Sequence, residues 1–101
     1  MIARVWHGAT KPEHADSYES MLKPELLPGL SKVPGYKGSY FLRRDLGHEV
    51  EFVTIIFLES LEALKAFAGE NYQQSIIPED RRQYLSKHDA QAAHYEVISR
   101  P

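Results

Sequence analysis

The chain has 101 residues, no cysteine, a formal net charge of -2 and a pI near 6.2. That length predicts one domain, residues 1–101, which buries on the order of 65% of its unfolded surface and gains from a partner subunit. The lack of thiols excludes disulfides, thiolate zinc sites and cysteine-ligated iron-sulfur clusters, and the lack of a Lys/Arg block argues against nucleic acid, whose binding rests on clustered cations.

MIARVWHG alternates polar and apolar residues over Ile2 to His7 and predicts a strand. It lacks the unbroken apolar run of a secretory signal, and no segment reaches the roughly 20 apolar residues of a membrane span, so a soluble cytoplasmic chain with no membrane partner is expected. Thr10 and Glu13 stand at capping-box spacing with Pro12 in the first turn, and Ala15, Tyr18, Met21, Leu22 and Leu26 trace the stripe of an amphipathic helix. Pro24 cannot donate to its fourth predecessor, which predicts a break near Lys23 and an irregular KPELLPGLS. Pro34 and Gly35 suit the centre of a type II turn leading into a second strand, YKGSYFLRR. DLGHE supplies a turn around Gly47, and VEFVTIIFL (Val50 to Leu58) is apolar on both faces, as a central strand of the resulting hairpin would be. Ser60 is a good N-cap for SLEALKAFAG, with Leu61, Leu64 and Phe67 inward and Gly69 ending the helix. ENYQQSII is ambiguous; PEDRRQYLS reads as a short helix starting at Pro78, and QAAHYEVI alternates again.

The order β-α-β-β-α-β predicts an α+β, ferredoxin-like fold, a four-stranded antiparallel sheet with both helices on one face. On the residues WHG, PGYKGSYFLRR, SLEALKAFAGENY, PED and HYEV, nearly the whole chain resembles the antibiotic biosynthesis monooxygenase-like family. The resemblance implies a dimeric α/β barrel, a homodimer whose sheets pack face to face, with small hydrophobic or aromatic ligands entering between each sheet and its own helices. It also implies oxygenation of an electron-rich aromatic or polyketide-like substrate without a cofactor. Trp6 is the only tryptophan, the second helix carries neither Trp nor His, and the first strand lacks the Asn of haem-degrading relatives, which argues against haem degradation. The other expectation, from a different class, is a ligand-binding or stress-related dimeric barrel without chemistry.

Strand parity groups Ala3, Val5, Ala93, Tyr95 and Val97 on one face and Arg4, Trp6, Ala92, His94 and Glu96 on the other. The small apolar set suits helix packing. The polar set would then meet a second subunit, with Arg4 across from Glu96 and Trp6 across from His94. On that view His94 and Glu96 form an interface seam, and the competing view makes them a catalytic pair in which the carboxylate fixes the imidazole tautomer. His7 falls on the helix-facing side at a strand end and is the first candidate for a general base, with Tyr72 as a phenol donor over the same cavity. Each also has a purely structural explanation, a hydrogen-bonded strand end and a core plug. Tyr40 and Arg43 are candidates for substrate wall and anion contact, while His14, His48 and His88 receive no role. No metal ligand set is present: there is no H-E-x-x-H, and PED is explained by the helix dipole. No cofactor is expected either, since Rossmann and P-loop signatures are missing.

Overall fold

The computed structural model describes residues 1–30, 32–74 and 79–100. Strand β1 (Ile2–Thr10) pairs along its whole length with β3 (Val50–Leu58), from Ile2 opposite Leu58 to Thr10 opposite Val50. Strand β2 (Tyr36–Asp45) pairs with the other edge of β3, with an irregularity between Tyr36 and Gly38. Both turns that introduce the hairpin form as expected. Tyr36 N–H donates to the Val33 carbonyl at 3.1 Å with Gly35 at φ 81°, and Gly47 takes φ 88° between Asp45 and Glu49.

Helix α1 (Ala15–Leu30) follows a 3-10 turn at Pro12–His14. The expected break near Lys23 does not occur. Pro24 and Ser20 are both exposed, so water can take the Ser20 carbonyl that lacks its helical donor, and the helix continues to Leu30. Nor does Thr10 cap this helix: its hydroxyl is buried at the end of β1 and donates to the Lys11 carbonyl at 2.9 Å. Helix α2 (Leu61–Ala68) is capped as the sequence predicts, with Ala63 N–H donating to Ser60 Oγ and Gly69 at φ 87° ending it. Leu64 is fully buried, whereas Leu61, expected inward, is 45% exposed.

Ala15, Tyr18 and Leu22 of α1 pack on Val50 and Phe52, and Ala63 and Leu64 of α2 pack on Ile56 and Leu58. Those four β3 residues share one parity, so both helices cover one face of the sheet. The order is β2-β3-β1 followed by two short strands on the far edge of β1, rather than by a single closing strand. Strand β4 (Leu85–His88) pairs with Gly8 to Thr10, and β5 (Ala93–Glu96) pairs with Ile2 to Val5. Helix α3 (Glu79–Arg82) is therefore shorter than PEDRRQYLS suggested; its expected start at Pro78 lies outside the described residues. Leu85 packs beside the Tyr18–Phe52 cluster and pairs with the free edge of β1, which outweighs the helical preference of its neighbours. The architecture is α+β, ferredoxin-like and antiparallel.

The two parity sets are correct and their faces are inverted. Arg4, His94 and Glu96 share the helix side with Ile2, which packs against the α2 cluster. Val5 and Tyr95 lie with Val53, Ile55, Phe57, Tyr40 and Leu42 on the face that no helix covers among the described residues, where Tyr40, Leu42 and Tyr95 are 61%, 45% and 58% exposed.

Candidate functional site

Arg4 stands in the first half of β1, and its position opposite His94 rather than Glu96 sets the site. The residue is only 6% exposed. Its guanidinium donates to the Tyr72 carbonyl, to the Gln74 carbonyl at 3.1 Å and to His94 Nε2 at 2.9 Å, and lies 6.0 Å from the Phe67 ring centre. A guanidinium can only donate, so Nε2 accepts, and the neutral ring carries its proton on Nδ1. Burial, and then the charge of Arg4, pushes the His94 pKa below its ordinary value of 6.5. Burial also lowers that of Arg4, which stays cationic.

Tyr72 meets His94 edge to face, ring centres 5.3 Å apart. Both line a cavity of about 320 Å³ between α2 and β5, at the small end of the range for ligand sites. Ile2, Leu61 and Leu64 make its apolar side, and Gln73, Gln91, Ala92 and Ala93 complete it. An apolar wall with one phenol and one neutral imidazole suits a small, mostly apolar molecule carrying an oxygen acceptor.

Of the residues singled out in the sequence, Arg4, Tyr72 and His94 come together. The others do not. His7 points to the uncovered face, where its backbone N–H and its Nδ1 both lie 3.0 Å from Asp89 Oδ2, so the expectation of a base in the helix-side cavity is overturned by the inverted parity. Glu96 stands opposite Ile2 and is exposed, two residues out of register for a pairing with Arg4. Trp6 donates from Nε1 to the Asp89 carbonyl at 3.1 Å and stacks on His88, and the residue opposite His94 is Arg4 rather than Trp6. Tyr40 lies on the uncovered face, edge-on to Phe57. Arg43 faces the helices but holds Asp16 at 2.8 Å and Glu19 at 3.2 Å, tying α1 to β2 above Phe52. Gln73 and Gln91 were missed, and no local pattern marks either. Among the described residues no group of three or more His, Asp or Glu gathers as a metal site, and no helix is long and apolar enough to cross a membrane.

A ferredoxin-like sheet with a cavity under its helices defines a fold class shared with solved proteins. A Bacillus cereus protein assigned to the antibiotic biosynthesis monooxygenases superposes with a TM-score of 0.73 at 18% identity, over 100% of this chain and 94% of that one. The heme-degrader MhuD from Mycobacterium tuberculosis, with two hemes bound in its active site, superposes with a TM-score of 0.64 at 18% identity, over 100% and 99%. No known family pattern and no curated protein matches the chain. At this identity the likeness establishes the fold: the chain has the α+β fold of the antibiotic biosynthesis monooxygenase-like proteins.

Proposed function

We propose that the protein is a homodimeric, cofactor-independent monooxygenase-like protein that takes a small aromatic or polyketide-like substrate into the cavity between α2 and β5. The observation that carries this reading is the meeting of Tyr72 and His94 at the apolar wall made by Ile2, Leu61 and Leu64. An activated ring that has given its proton to water before binding is a carbanion able to pass an electron to dioxygen. In the overall reaction a ring CH2 and O2 become a ring C=O and H2O. The protein supplies donors for the oxygen of the ionised substrate and an apolar wall for its ring. The fold-mate assigned as a monooxygenase supports the class of reaction, and the apolar, uncovered sheet face supports a second copy packed against it.

Oxygen uptake with anthrones and dihydroquinones, without added metal, flavin or nicotinamide, tests the reading. Uptake that falls at least about tenfold in Tyr72→Phe and His94→Gln is the expected result. No uptake across a broad panel would favour a ligand-binding barrel without chemistry, a reading helped by one observation: Arg4 occupies the His94 lone pair a general base would need.

A further inference from the structure

We infer that the cavity takes its ligand as an oxygen anion, an ionised phenol or enol, held by a neutral His94 Nδ1–H whose tautomer Arg4 fixes. The inference rests on the aromatic-substrate reading above for the ring, and on the Arg4 geometry for the charge. Arg4 donates to His94 Nε2 at 2.9 Å, which leaves Nδ1–H as the polar group the ring offers to a ligand in the cavity it lines. The same contact removes His94 as a proton acceptor. His94 is therefore a hydrogen-bond donor, and Arg4, which does not itself line the cavity, is a positioning residue.

The charge preference has a cause separate from the tautomer. A guanidinium 6% exposed normally faces a carboxylate, because a buried ion without a counter-charge is costly. Among the described residues the Arg4 partners are two carbonyls and an imidazole, all neutral. Glu96 shares its face but is exposed and opposite Ile2. The positive charge beside the cavity is thus left for a ligand to balance. A phenol or enol acidic enough to ionise in water matches this arrangement, since it arrives without its proton and needs donors only.

Two measurements on the unsubstituted protein test the inference. Long-range 1H–15N correlation spectra read the His94 tautomer, with His94→Gln supplying the assignment, and the expected state is Nδ1–H at neutral pH. Titration with 4-nitrophenolate and with 4-nitroanisole, the same ring without the charge, is expected to show the anion bound about 10- to 100-fold more tightly. Arg4→Met should release the tautomer and bring the two affinities together. An Nε2–H tautomer in the unsubstituted protein, equal affinities, or no binding of either compound overturns the inference. If Arg4→Met fails to fold, the tautomer and the affinity ratio of the unsubstituted protein still decide between these outcomes. A protein that prefers the anion and consumes no oxygen keeps this site and loses the monooxygenase reading. One that consumes oxygen without that preference does the reverse.

Discussion

Replacing Arg4 with Met keeps an unbranched side chain and removes the guanidinium that lies 6.0 Å from the Phe67 ring centre. The Tyr72 and Gln74 carbonyls and His94 Nε2 then lose their donor. Hydrogen bonds to a charged donor contribute about 1.5–3 kcal/mol each. Two effects offset the sum: the buried cation no longer has to be desolvated, and Gln74 is exposed, so water reaches its carbonyl. A net loss of about 2–3 kcal/mol remains, which lowers the melting temperature of a domain this size by about 10–20 °C. Thermal unfolding followed by circular dichroism near neutral pH measures it, with Glu96→Ala as the comparison. Glu96 is exposed and two residues out of register with Arg4, so its truncation should stay within about 0.5 kcal/mol. Equal losses from the two substitutions would refute the reasoning and restore an Arg4–Glu96 pair.

Acid should weaken the fold through His94. Its folded pKa lies below 6.5, so its contribution to stability is fully present above that value and is lost as pH falls through the folded pKa, because the unfolded chain takes up a proton the folded one resists. Urea midpoints measured across that range should fall less steeply for His94→Gln, and parallel curves would contradict the assignment. Light scattering should report about twice the 11.6 kDa chain mass, and Leu42→Lys on the uncovered face should shift the population towards monomer; a dimer indifferent to that charge would place the interface elsewhere. A Cβ at Gly8 would sit 2.6 Å from Trp6 Cη2, and that ring is held by Asp89 and His88. Gly8→Ala should therefore cost about 1–3 kcal/mol in chemical denaturation. Unchanged stability would show that the indole swings aside freely.

The element order and most turns were legible because each had a local cause: Pro34-Gly35 for a turn, Ser60 for a cap, the alternation of MIARVWHG for a strand. The side of the sheet that meets the helices was not. Alternation sorts residues into two sets, and composition is then asked which set is buried. Here that question misleads, since Arg4 and His94 sit on the helix side while Tyr40, Leu42, Ile55 and Phe57 keep the other side apolar. Inverting the faces moved His7 away from the cavity and brought His94 to it. The grouping of Arg4 with His94 survived, since a register shift of two residues changes partners without changing sides.

The far edge of β1 is closed by two clasps of four residues each, β4 and β5, which grip different halves of it. Between them Asp89 is fastened to β1 at His7, and the ladder resumes only at Ala93. The β5 clasp carries His94 and forms one wall of the cavity, whereas the β4 clasp holds Leu85 against the α1 core. Releasing β5 would therefore break the Arg4–His94 contact along with its ladder hydrogen bonds, so the integrity of the site depends on this one short strand while the α1 core does not.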